Sequence, residues 1–230
     1  MIARYAAVAA LVALLACGRE REGAAQPDTG AGGRDAAGAA PAAPAPVVMF
    51  VGTSLTAGLG VEPDQAYPAL IQQKIDSAGL NYRVVNAGVS GETSAGALRR
   101  IDWLLREPVA ILVLETGAND GLRGQDPDSI RGNIQAIIDR VHSLQPAARV
   151  VLVGMNSMPN LGRVYGARFE EVFPEVARAN GLPIVPALLA GVGGVDSLNQ
   201  PDGIHPTPEG QKRLAANVWQ TLHPLLVPSS

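Results

Sequence analysis

Short runs of large apolar residues alternate with longer stretches in which apolar positions recur every three or four residues, and the alternation begins abruptly at residue 47. Residues 47–51 (Val-Val-Met-Phe-Val) form a continuous apolar run that ends at Gly52, the pattern of a strand buried on both faces. Residues 67–78 carry Leu70, Ile71 and Ile75 at helical spacing and stop at Gly79. A second strand is predicted over 82–86, a helix over 97–106 and, after Pro108, a buried strand over 109–114. Ile134, Ile137, Ile138 and Val141 make one stripe of a helix over 130–144. A fourth strand follows over 149–153, then a long helix over 164–180 closed by Gly181, and a short fifth strand over 183–185. Thr207 as N-cap and Pro208 at the first helical position open a last helix reaching about Leu222.

Strands that alternate with helices, and that are apolar on both faces, predict a parallel sheet covered on each side. The expected fold is therefore α/β: a three-layer α/β/α sandwich with a five-stranded parallel sheet, flavodoxin-like, in the order 2-1-3-4-5. In such a sheet the chemistry sits at the carboxyl ends of the strands, so the loops that follow them are the places to search.

What precedes residue 47 is different in kind. Residues 18–46 are mostly Ala, Gly and Pro with scattered charges, and lack the large apolar residues needed to offset their ordering entropy. They are read as a tether. Residues 1–17 place one positive charge, Arg4, before a short apolar run, which is the secretory signal pattern and too short for an ordinary membrane span. The ending Leu14-Leu15-Ala16-Cys17 resembles the lipobox of bacterial lipoproteins, which implies cleavage before Cys17 and lipid attachment to its thiol. With Gly18 rather than Asp after the cysteine, the resemblance implies a periplasmic lipoprotein of the outer membrane; cleavage without lipidation would leave a soluble periplasmic or secreted protein. The folded domain is expected over 47–228.

Composition narrows the chemistry. The 230 residues carry 18 basic and 21 acidic side chains, a formal charge of −3, so there is no basic excess for a phosphate backbone. Aromatics at 4% leave little for stacking on bases, and no nucleic-acid partner is expected. The single cysteine excludes an intrachain disulfide and a multi-thiolate zinc site. Only three histidines are available as a catalytic base.

Four loops carry the candidates. After the first strand comes Gly52-Thr53-Ser54-Leu55, where a serine on a strand-to-helix turn projects its hydroxyl at the sheet edge. On its own Ser54 reads first as a helix N-cap, and Thr56 stands where the second glycine of a G-x-S-x-G elbow belongs. The second loop runs from Asn86 through Gly88, Ser90 and Gly91 to Ser94, with glycines that let backbone amides point inward. In the third, Gly117-Ala118-Asn119-Asp120, the Asn119 amide is a candidate donor to an oxyanion. The fourth is Asp202-Gly203-Ile204-His205, in which Asp202 is placed to accept the Nδ1–H of His205 and orient it as a base. His142 and His223 lie near helix ends and have no such partner. Gly58-Leu59-Gly60 lacks the third glycine of a dinucleotide fingerprint.

Together, Gly52-x-Ser54-Leu55, Val89-Ser90-Gly91-Glu92-Thr93-Ser94, Gly117-x-Asn119-Asp120 and Asp202-x-x-His205 resemble the four blocks of the SGNH (GDSL) hydrolase superfamily, over residues 47–225. The likeness is to its acyl-CoA thioesterase I, lysophospholipase L1 and arylesterase branch. It implies Ser54 as nucleophile, His205 as base and Asp202 as its orienting partner. It also implies an oxyanion hole from the Ser54 amide, the Gly91 amide and the Asn119 side chain, and no metal or cofactor. Ser90 is thereby displaced as a rival nucleophile. The family's Asp before the serine is Thr53 here, from which tuning of the rate rather than loss of activity is expected. The implied activity is hydrolysis of small-molecule or lipid acyl esters, aryl esters or thioesters through an acyl-serine, with Leu122 and Met158 as candidate acyl contacts. A carbohydrate acetyl-esterase and a non-catalytic lipid-binding lipoprotein are the alternatives.

Overall fold

The computed structural model describes residues 44–157 and 161–227. Cys17, Met158 and the tether up to residue 43 lie outside the described residues.

Among the described residues there are five strands, β1 (Val47–Gly52), β2 (Arg83–Gly88), β3 (Ile111–Leu114), β4 (Arg149–Val153) and β5 (Ile184–Val185). They form one sheet in the order β2-β1-β3-β4-β5, and every pairing is parallel. The register places Val48 beside Val84 on one flank and Ile111 on the other, so the apolar runs align across the middle of the sheet. Every residue of β1 and β3 is buried, as the uninterrupted apolar runs require. β2 departs from that pattern: Arg83 and Asn86 are exposed because this strand forms an edge of the sheet.

Among the described residues seven α-helices flank the sheet, six between successive strands and the last after β5: α1 (Ser54–Ala57), α2 (Tyr67–Ser77), α3 (Ser94–Leu104), α4 (Ala118–Leu122), α5 (Pro127–Leu144), α6 (Arg163–Asn180) and α7 (Pro208–Leu226). Parallel crossovers are right-handed. The step from β1 leftward to β2 therefore puts α2 on one face, and the rightward steps put α3, α5 and α6 on the other. The packing agrees, since α5 lies between α3 and α6 while α7 lies against α2. Ile130, Ile134, Ile137, Ile138 and Val141 form the fully buried stripe of α5.

Local hydrogen bonds shift several boundaries from those expected. α3 starts at Ser94 rather than 97 because Thr93 caps it, accepting from Gly96 N. α5 starts at Pro127 rather than 130, behind the cap Asp126, which accepts from Asp128 N. α7 runs on to Leu226 rather than stopping near 222, carrying the buried Leu226. α1 and α4 are too short to leave a periodic signal, and neither is anticipated by the apolar pattern.

Ile134 is fully buried in α5. Ile134→Ala is expected to lower unfolding free energy by about 2–5 kcal/mol, measured by urea denaturation; a change below about 1 kcal/mol would contradict the assigned core.

Candidate active site

β1 ends at Gly52, and the chain turns at once into α1, with Thr53 as the N-cap residue and Ser54 as the first helical residue. The Ser54 reading as an N-cap is thus set aside: that position belongs to Thr53. Close approach explains the glycine before it, because a Cβ on Gly52 would lie 2.0 Å from Thr56 Oγ1.

The loop after β5 brings a distant segment to this turn. His205 Nε2 lies 2.9 Å from Ser54 Oγ, and His205 Nδ1 lies 2.6 Å from Asp202 Oδ2. The other carboxylate oxygen, Oδ1, accepts the backbone N–H groups of Ile204 (2.9 Å) and His205 (3.0 Å). With its Nδ1 hydrogen bonded to the carboxylate, the neutral ring presents Nε2 as an acceptor toward the serine hydroxyl. The hydrogen bond from the His205 ring, and then the two backbone N–H groups, hold the Asp202 carboxyl well below the usual carboxylate range. Gln200 ties the two segments together, donating from Nε2 to Leu59 O (2.8 Å) and Pro206 O (3.0 Å).

The remaining two loops are latched to each other. Asn119 on α4 donates from Nδ2 to Glu92 O at 3.0 Å, which engages one of its two amide hydrogens. The neighbouring Asp120, buried, accepts Ser94 N at 2.8 Å and Ser94 Oγ at 2.6 Å, and Asn133 donates to Ser94 Oγ at 2.9 Å. Arg123 donates to Gly91 O at 3.1 Å. Gly91 has φ +78°, a left-handed conformation that favours glycine. The segment carrying Gly91 and the helix carrying Asn119 are thereby held as one unit.

Ser54, Gly91, Asn119 and His205 all border a cavity of ≈ 290 Å³. Its apolar walls include Leu59, Leu122, Met155, Leu161, Phe169, Leu189 and Ile204. Leu122 is half-exposed and borders the cavity. Met155, Leu161, Phe169, Leu189 and Ile204 were not singled out from the sequence, because no motif marks an apolar residue that a loop swings into a cleft. Ser90 also borders the cavity, but the His205 ring nitrogen faces Ser54. His142 is exposed on α5, and His223 packs against Trp219 with ring centroids 4.8 Å apart. Neither is among the residues that line the cavity.

Beneath the turn bearing Ser54 lies Glu115, which sequence reasoning missed. It is fully buried and accepts from Thr53 and Thr56. Burial pushes its carboxyl above the usual range, opposed by those hydrogen bonds. A charged residue closing an apolar strand was the available signal. Among the described residues no group of three or more His, Cys, Asp or Glu gathers to hold a metal ion.

The sandwich fold and the hydrogen-bonded Ser-His-Asp chain together define a hydrolase of the SGNH type. The chain belongs to the GDSL-like lipase/acylhydrolase family, whose model matches residues 50–213. It is 43% identical over 185 residues to esterase TesA of Pseudomonas aeruginosa, spanning 80% of this chain and 91% of the relative. To the thioesterase 1/protease 1/lysophospholipase L1 of Escherichia coli (strain K12) it is 34% identical over 187 residues, 80% of this chain and 87% of that one. Among solved structures, the psychrotrophic esterase EstA from Pseudoalteromonas sp., inhibited by monoethylphosphonate, superposes with a TM-score of 0.73 at 28% identity, covering 78% of this chain and 98% of that one.

Because the folded-state pKa of Asp202 is depressed, the stability it contributes is present above the unfolded value of about 3.9 and is lost as pH falls through the folded value. Carboxyl NMR titration is expected to show Asp202 still ionised at pH 4; a midpoint at or above the ordinary value would contradict the hydrogen-bonded geometry.

Proposed function

We propose that this protein hydrolyses carboxylic acyl esters through an acyl-serine at Ser54. The hydrogen-bonded line from Ser54 Oγ to His205 Nε2 and from Nδ1 to Asp202, at the edge of an apolar cavity, carries the reading. His205 takes the proton as Ser54 Oγ attacks the substrate carbonyl, and Asp202 stabilises the imidazolium formed. The carbonyl oxygen, now an oxyanion, is met by the Ser54 and Gly91 amides and by the Asn119 side chain. Collapse of this intermediate breaks the ester bond, and the leaving alcohol takes the proton from His205. Water then attacks the acyl-serine, giving its proton to the same nitrogen, and the acid leaves as Ser54 regains its hydrogen. No cofactor enters these steps.

The cavity sits at the small end of the range for ligand pockets, about 300–1,000 Å³, and its walls are chiefly apolar. The apolar walls support a lysophospholipid, an aryl or short-to-medium acyl ester, or a thioester over the acetylated sugar of a carbohydrate esterase. The names of the relatives, esterase and thioesterase/lysophospholipase, point the same way and lend nothing to a non-catalytic lipid-binding role.

Ser54→Ala is expected to abolish hydrolysis of p-nitrophenyl butyrate with the circular dichroism spectrum preserved, and retained turnover would sink the proposal. Asn119→Ala is expected to lower kcat by about 10²–10³; an unchanged kcat would remove it from the oxyanion hole. A series of acyl esters, thioesters and lysolipids, set beside acetylated sugars, reads out the substrate class.

The membrane is the proposed second partner, through lipid on Cys17 and the tether of residues 18–46, as an exported lipoprotein of the outer membrane. Among the described residues no helix is long and apolar enough to cross a membrane. Expressed in a bacterium, the full chain is expected to incorporate labelled palmitate and to fractionate with outer membrane, both lost in Cys17→Ala. An unlabelled, soluble wild type would instead indicate cleavage without an anchor.

A further inference from the structure

The family's acid before the nucleophile is Thr53 in this chain, and a different carboxylate meets that position. Glu115, the residue after β3, has no exposure to solvent. Its Oε2 accepts Thr53 N at 2.7 Å and Thr56 Oγ1 at 2.9 Å, and the Thr53 hydroxyl lies 3.0 Å from both carboxylate oxygens. The Thr56 hydroxyl is also 2.7 Å from the Tyr67 hydroxyl, on the fully buried start of α2. Because the single proton of Thr56 goes to Glu115, Tyr67 is the donor of that pair, and the hydrogen bonds run from Tyr67 to Thr56 to Glu115.

Ser54 lies between the two tethered threonines. α1 is a single turn of four residues, and a helix that short has no stability of its own in water. Its place therefore depends on tertiary ties, and the ties at its start converge on one carboxylate. Gly52 leaves no slack behind them, since a Cβ there would lie 2.6 Å from Glu115 Oε2.

We propose that Glu115 is the positioning residue of the nucleophile: its carboxylate clamps Thr53 and Thr56 on either side of Ser54 and so holds Ser54 Oγ within reach of His205 Nε2. Thr53 contributes the hydroxyl donor to this clamp, where the family's Asp offers an acceptor. The inference rests on the reading of Ser54 as nucleophile.

The test uses the full chain and the variants Glu115→Gln, Thr53→Val and Thr53→Ser. For each, kcat and KM are measured on p-nitrophenyl butyrate, together with melting temperature and the rate at which a fluorophosphonate probe labels Ser54. Gln places an amide N–H₂ among donors that need acceptors, so kcat and the labelling rate are expected to fall about ten- to a hundredfold, the scale of a small misplacement of the reacting atom. KM is expected to stay within about twofold. Thr53→Val should fall in the same direction by a smaller factor, and Thr53→Ser should restore the wild-type rate. A labelling rate unchanged in a folded Glu115→Gln overturns the proposal, as does equal kcat in the Val and Ser variants. If Glu115→Gln fails to fold, the Thr53 pair alone decides. Failure of the probe to label wild-type Ser54 fells the nucleophile reading and this one with it, whereas a labelled wild type separates the two.

Discussion

One hydrogen bond, 2.9 Å from His205 Nε2 to Ser54 Oγ, joins residues 151 positions apart, and the arrangement of the molecule is what makes it possible. Parallel strands all discharge their loops at the same sheet edge, so β1 delivers Ser54 and the segment after β5 delivers His205 to one place. The sheet alone does not bring the two together: β5 is the far edge strand, three places from β1 with β3 and β4 between them. The chain after β5 crosses that gap, and Gln200 fastens it by donating to Leu59 O near the Ser54 turn and to Pro206 O next to His205.

Around that bond the polar groups follow a common rule. Each buried carboxylate serves a stretch of backbone with few other ties. Asp120 accepts the first N–H of α3 and thereby joins the Gly91 segment to the helix bearing Asn119, and Glu115 does the same for the turn bearing Ser54. A buried carboxylate is expensive unless every donor reaches it, so such groups tolerate few alternative backbone paths. The walls of the cavity beside Ser54 are different. They are apolar side chains from several loops, whose contacts are non-directional, and this is where one member of a fold family can depart from another without disturbing the catalytic geometry.

What the chain determined locally was legible in advance. Uninterrupted apolar runs at 47–51 and 109–114 mark buried strands, and the isoleucine stripe of α5 marks a helix against them, because period and burial are written in residue order. Alternation of these elements leaves few topologies, and the observed order β2-β1-β3-β4-β5 is among them. The candidates Ser54, Asp202 and His205 were also legible, since each stands in a short motif, and the Asp202–His205 pair is a local contact three residues apart.

Only the tertiary structure decided what depends on contacts between distant segments. α1 and α4 have four and five residues, too few for a periodic signal, and each is tied to a distant segment through a buried carboxylate, Glu115 and Asp120. The exposed positions of β2, Arg83 and Asn86, are polar in the sequence, but the place of the strand at the sheet edge follows only from the sheet order. Thr53 looked in the sequence like a missing acid; in the fold it is a donor to an acid 62 residues away. The residues thus determined which chemistry is possible and on which loops. Burial and hydrogen bonding across the sheet edge determined which of those side chains meet, because such contacts are set by the sheet's geometry rather than by neighbours in the chain.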